Sequence, residues 1–141
     1  MARRLHVLLV DDDKDIRETV GSALETLGFK VSAAATGRQA LKMCADRCPY
    51  DVILSDVVMP EIGGTQLTEM LRQQWPKLPV ILMTGRDSMV DHVIDKGVVA
   101  LMKPFTLQQL WRVIEEMTKD SSHGTWLRRH RTTRRRKAVG A

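Results

Sequence analysis

The sequence predicts an α/β fold, a doubly wound sheet of five parallel strands. Three observations carry that prediction. Short apolar runs alternate along the chain with segments of helical periodicity. The runs are continuous rather than alternating in polarity, as expected of parallel strands covered on both faces. Polar residues follow four of them abruptly: Asp11-Asp12, Asp56, Thr84 and Lys103. Parallel strands need crossover connections, which are right-handed, and ligands of such sheets sit beyond the carboxyl ends of the strands.

Taken in order, Leu5–Val10 reads as the first strand. Asp13 can cap a helix whose apolar positions Ile16, Val20, Ala23, Leu24 and Leu27 recur at helical spacing, and Gly28 stops it. Phe29–Ala34 is the second strand. Thr36 and Gly37 open a helix through about Asp46. Asp51–Asp56 is the third strand, followed by a loop, Val57–Gly64, that holds Pro60, Gly63 and Gly64. Thr65 to Trp75 is a third helix, stopped by Pro76, and Pro79–Thr84 a fourth strand. Ser88 to Lys96 reads as a short fourth helix and Val98–Met102 as the fifth strand. Thr106 starts the last helix with a capping box to Gln109, and its core stripe is Leu107, Leu110, Val113, Ile114 and Met117.

The 141 residues suffice for one domain with a core. No apolar stretch approaches the ~20 residues of a membrane span, and Arg3-Arg4 begins nothing resembling a signal peptide, so a cytoplasmic protein is expected. Cys44 and Cys48, spaced to share a helix face, lack the histidines of a metal site and read as ordinary reduced thiols. The net charge of +5 is uneven. Residues 1–118 carry −2 and residues 119–141 carry +7.

Three carboxylates, one hydroxyl and one ammonium at strand ends suit one divalent cation and one phosphoryl group. Clustered carboxylates are costly without a cation, and Mg²⁺ (or Mn²⁺) accepts such hard oxygen ligands while keeping sites for water and phosphate. A carboxylate can also attack phosphorus, giving an aspartyl phosphate. Thr84 can then hydrogen-bond one phosphoryl oxygen, and Lys103 can pair with another or with the unmodified carboxylate.

Leu8-Leu9-Val10-Asp11-Asp12-Asp13, Ser55-Asp56-Val57-Val58-Met59-Pro60 with Gly63, Ile81-Leu82-Met83-Thr84-Gly85 and Met102-Lys103-Pro104-Phe105 together resemble the receiver domain of two-component response regulators. The wording is closest to receivers attached to hybrid histidine kinases. The resemblance spans about residues 4–118, within a domain expected over 4–120, and implies a flavodoxin-like sheet in the order 2-1-3-4-5. It implies that Asp56 is phosphorylated by a histidine kinase or a histidine phosphotransfer protein. It implies Asp11, Asp12, Asp56 and the Val58 carbonyl as metal ligands, Thr84 and Gly85 beside the phosphoryl group, Lys103 in contact with it, and a cis Lys103-Pro104 peptide. Three departures stand out. Ala100 occupies the place of a usual Tyr or Phe, the Thr84–Lys103 interval is about three residues short, and Gly85 is small. With no ring at 100, the output surface is expected on the first helix and strand-end loops.

Residues 121–141 lack hydrophobic periodicity and read as a disordered extension. Trp126-Leu127 precede a basic cluster of Arg128, Arg129, Arg131, Arg134, Arg135, Arg136 and Lys137. The cluster suits a solvated extension, a docking arm for an acidic partner, unspecific nucleic-acid contact, or a basic extension of the last helix. The expected protein is a stand-alone receiver, monomeric or weakly dimeric through a face including Trp111, that catalyses only its own phosphorylation and hydrolysis. The enzyme alternative is an aspartate-nucleophile phosphatase opening on Asp11-x-Asp13. Its motif order is the reverse of this one, and the chain leaves no room for a cap domain.

Overall fold

The strand segments Val-Leu-Leu-Val, Val-Ile-Leu and Val-Ile-Leu-Met alternate their side chains between two buried faces, so each must be covered twice. In the computed structural model, which describes residues 4–85 and 97–119, this is what happens. The strands are β1 (His6–Val10), β2 (Lys30–Ala34), β3 (Val52–Asp56), β4 (Val80–Thr84) and β5 (Val98–Met102). They form one sheet, ordered β2-β1-β3-β4-β5, with every pairing parallel. The helices are α1 (Lys14–Thr26), α2 (Gly37–Met43), α3 (Gly64–Gln74) and α4 (Leu107–Lys119). The expected helix over Ser88 to Lys96, and the basic cluster from Arg128 to Lys137, lie outside the described residues.

Two cores result. Leu8, Val10, Ile53, Val80 and Leu82 pack with Ala40 of α2 and with Leu67 and Leu71 of α3. Val7, Leu9, Leu54, Ile81 and Met83 pack on the other face with Leu24 of α1 and with Leu110, Ile114 and Met117 of α4. Each such fully buried aliphatic side chain contributes about 1.5–3 kcal/mol against exposure.

The local signals hold at the helix starts. Asp13 accepts hydrogen bonds from the N–H groups of Asp15 and Ile16, at 2.9 and 3.3 Å. Thr106 and Gln109 exchange both bonds of the capping box, at 2.8 and 3.1 Å. Gly28, at φ +98°, takes the left-handed turn that closes α1, and the Phe29 N–H returns to the Leu24 carbonyl at 3.0 Å. Two expectations fail. The second helix stops at Met43, short of Asp46, because the chain turns there to bury Cys48 and Tyr50; Cys44 caps the helix and shares no helical face with Cys48. Leu107, the first residue of α4, is 47% exposed, so it is not a core residue.

Candidate functional site

The register aligns the strand ends. Val10 lies opposite Ser55, Asp56 opposite Met83 and Thr84 opposite Met102, so the polar residues that end β1, β3, β4 and β5 share one edge. Asp11, Asp12 and Asp56 offer oxygens that all lie within 4.8 Å of one another. Lys103 Nζ stands 3.3 Å from Asp56 Oδ1 and donates to it. Thr84 is buried as the last residue of β4, and its carbonyl accepts the Lys103 N–H at 2.8 Å. The Lys103-Pro104 peptide is cis. Val58 is exposed in the loop beyond Asp56, and a side chain at Gly85 would meet open space.

Asp11 sets the electrostatics. It is 1% exposed, and its Oδ1 accepts the Asp13 N–H at 2.9 Å. Its Oδ2 is buried with no hydrogen-bond partner among the described residues. Burial pushes the Asp11 carboxyl above its ordinary value near 3.8, against the pull of the Asp13 N–H; the charges of Asp56 and Asp12 push it further and Lys103 opposes them. A buried carboxylate oxygen without a partner is costly unless something positive meets it. The three acidic groups therefore fit a hard divalent cation such as Mg²⁺, which takes oxygen ligands. Arg17 Nη1 holds the Asp11 carbonyl at 2.8 Å, fastening α1 to the strand end.

Gly64 is the positioning residue that the sequence left ambiguous beside Gly63. A Cβ on Gly64 would overlap the Asp56 carbonyl oxygen and press Leu82, so the first residue of α3 can lie against the end of β3 only as glycine. Its N–H bonds the Val57 carbonyl at 2.8 Å. A strand-end Asp followed eight residues later by a helix-starting Gly was the available signal. Asp13, the second acid of the phosphatase-like opening, spends its carboxylate on the α1 cap.

The comparisons agree with this geometry. The sequence model of the response regulator receiver domain family matches residues 7–115, and the chain belongs to that family. A response regulator MprA of Mycolicibacterium vanbaalenii is 37% identical over 109 residues, 75% of this chain and 47% of the relative. The chain thus spans about half the length of the curated relatives it matches. The chemotaxis response regulator CheY4 of Vibrio cholerae superposes with a TM-score of 0.70 at 31% identity, over 82% of this chain and 99% of that one. The receiver domain of a sensor histidine kinase from Pseudomonas aeruginosa, described with a magnesium ion coordinated in its active-site cleft, gives 0.74 at 27% identity, over 84% of this chain and all of that one. None of the described helices is long and apolar enough to cross a membrane.

Proposed function

We propose that residues 4–120 form a receiver that takes a phosphoryl group onto Asp56 from a phosphohistidine, carried by a histidine kinase or a histidine phosphotransfer protein in a two-component phosphorelay. One observation carries this reading: Asp56 ends β3 between the Lys103 ammonium and two further acids, one of which has a buried oxygen with no partner among the described residues. An Asp56 carboxylate oxygen forms the new bond to phosphorus, the phosphorus–nitrogen bond breaks, and its electron pair returns to the donor imidazole. Asp11, Asp12, Asp56 and the Val58 carbonyl would hold Mg²⁺ (or Mn²⁺), which when bound offsets charge on the phosphoryl oxygens.

Lys103 gives up its 3.3 Å contact with the bare carboxylate and pairs with a phosphoryl oxygen. Thr84 donates its hydroxyl to another, and Gly85 leaves the approach open. The chain catalyses only its own phosphorylation and the hydrolysis that ends it. It works in the cytoplasm as a monomer or weak dimer, with α1 and the strand-end loops as the surface that changes.

Acetyl phosphate with Mg²⁺, followed by intact mass, tests the assignment. Asp56→Ala is expected to gain no phosphoryl group, while Asp11→Ala gains one slowly. The reverse pattern would make Asp11 the nucleophile and favour the phosphatase reading.

A further inference from the structure

The loop between β3 and α3 carries the Val58 carbonyl, and its far end rests on α2, a helix that supplies none of the strand-end groups. Val57 and Met59 are buried, while Val58 between them is 60% exposed. At one end of the loop, Gly64 donates its N–H to the Val57 carbonyl. Before it comes a tight turn. The Ile62 N–H returns to the Pro60 carbonyl at 2.8 Å, and Glu61 between them stands at φ +65°. A residue with a side chain takes that left-handed conformation only against steric resistance, so something outside the turn must hold it.

Ile62 is the residue placed to do so. It is half-buried and packs against the core that α2 and α3 share. Gly37, the first residue of α2, is buried beside it. A Cβ on Gly37 would stand 3.0 Å from both Cβ and Cγ2 of Ile62, and 3.1 Å from its carbonyl oxygen. Carbon atoms pack at about 3.5–4.0 Å, so helix and loop meet this closely because residue 37 has no side chain. One more contact crosses the same gap, Arg38 Nη2 to Glu61 Oε1 at 3.7 Å. Both side chains are largely exposed, so that pair adds little.

We propose that Gly37 and Ile62 are positioning residues for the cation. Gly37 seats Ile62, Ile62 holds the turn at Glu61, and the turn sets where the Val58 carbonyl lies. Neither residue touches the ion. A backbone carbonyl is not aimed by its own side chain, so the groups that hold its loop govern how well it can serve as a ligand. The inference rests on the reading of Val58 as a ligand, and not on phosphoryl transfer to Asp56.

The test is Mg²⁺ binding by the full ¹⁵N-labelled chain with no phosphodonor, read as a dissociation constant from amide shifts. Ile62→Ala removes the anchor and Gly37→Ala crowds its seat, two opposite changes at one contact. Both are expected to weaken Mg²⁺ binding, by about tenfold and about threefold respectively. Met43→Ala deletes apolar volume from the same core at the other end of α2. It is expected to lower the melting temperature while keeping the Mg²⁺ affinity within about twofold of the parent. Parental affinity in either Ile62→Ala or Gly37→Ala overturns the inference, because the contact is then packing alone. So does an equal loss in Met43→Ala, which would trace the effect to the core at large. A parent chain that binds no Mg²⁺ overturns it together with the metal reading, so the parent tells the two failures apart.

Discussion

Two aspartates are buried at opposite ends of the same sheet, and they teach what burial alone does not. Asp51, 3% exposed, precedes β3 at the amino edge. Its Oδ2 accepts the His6 N–H at 2.8 Å, and its own N–H bonds the His6 carbonyl at 2.8 Å. Around it the polar groups close on one another. His6 Nε2 meets Ser32 Oγ at 2.8 Å, Arg4 donates to the carbonyls of Gly28 and Phe29, and Trp75 Nε1 donates to the Cys44 carbonyl at 3.2 Å. Asp11, at the carboxyl edge, is equally buried and leaves one oxygen without a partner among the described residues. The amino edge is finished as structure. The carboxyl edge leaves a buried carboxylate oxygen without a partner among the described residues, and the three acids there could hold a cation.

The sharpest attempt to break this contrast is Gly64→Ala. The added methyl has nowhere to go but into the end of β3, so a loss of about 3 kcal/mol or more is expected in urea denaturation, with Asp56 displaced. An unchanged midpoint would mean that α3 does not fix the acceptor. Next in size is Asp51→Ala, which strands the His6 N–H at a partly buried site. A loss of about 1–3 kcal/mol is expected, unaffected by Mg²⁺.

The smallest change has the opposite sign. Asp11→Asn keeps an acceptor for the Asp13 N–H and removes a buried charge, so without Mg²⁺ it is expected to melt a few degrees higher than the parent. It also loses the parent's rise in melting temperature on adding Mg²⁺. The pH dependence carries the same sign. The Asp11 carboxyl is raised in the folded chain, so between its ordinary value near 3.8 and the raised one the folded chain holds a proton that the unfolded chain has released. Without a divalent ion, stability therefore falls as pH rises through that window and stays lower above it. Thermal melts in chelator check this, and Asp11→Asn flattens the fall.

The same contrast explains what was legible in the sequence. The strands β1, β3 and β4 were readable because a parallel strand buried on both faces has no polar alternation to confuse it. The caps at Asp13, Thr36 and Thr106 were readable because each bonds residues two or three positions on. Asp11, Asp12, Asp56, Thr84 and Lys103 stood out because a polar group straight after an apolar run is conspicuous. The Asp51–His6 pair spans 45 residues, and nothing local announces it. Leu107 obeys the helical period, which gives a direction but not a depth. Gly64 acts through the approach of a helix to a strand, a distance that only the fold sets.

The bond from Arg17 to the Asp11 carbonyl has a mechanical reading. It rivets the first turn of α1 to the backbone of the buried acid at the strand edge. Val20 and Ala23 lie on that same helix and line an apolar cavity beside α4, so the cavity wall and the acidic edge share one element. Ala100 packs on the opposite face of the sheet, so α1 is joined to the acidic edge on the side away from it.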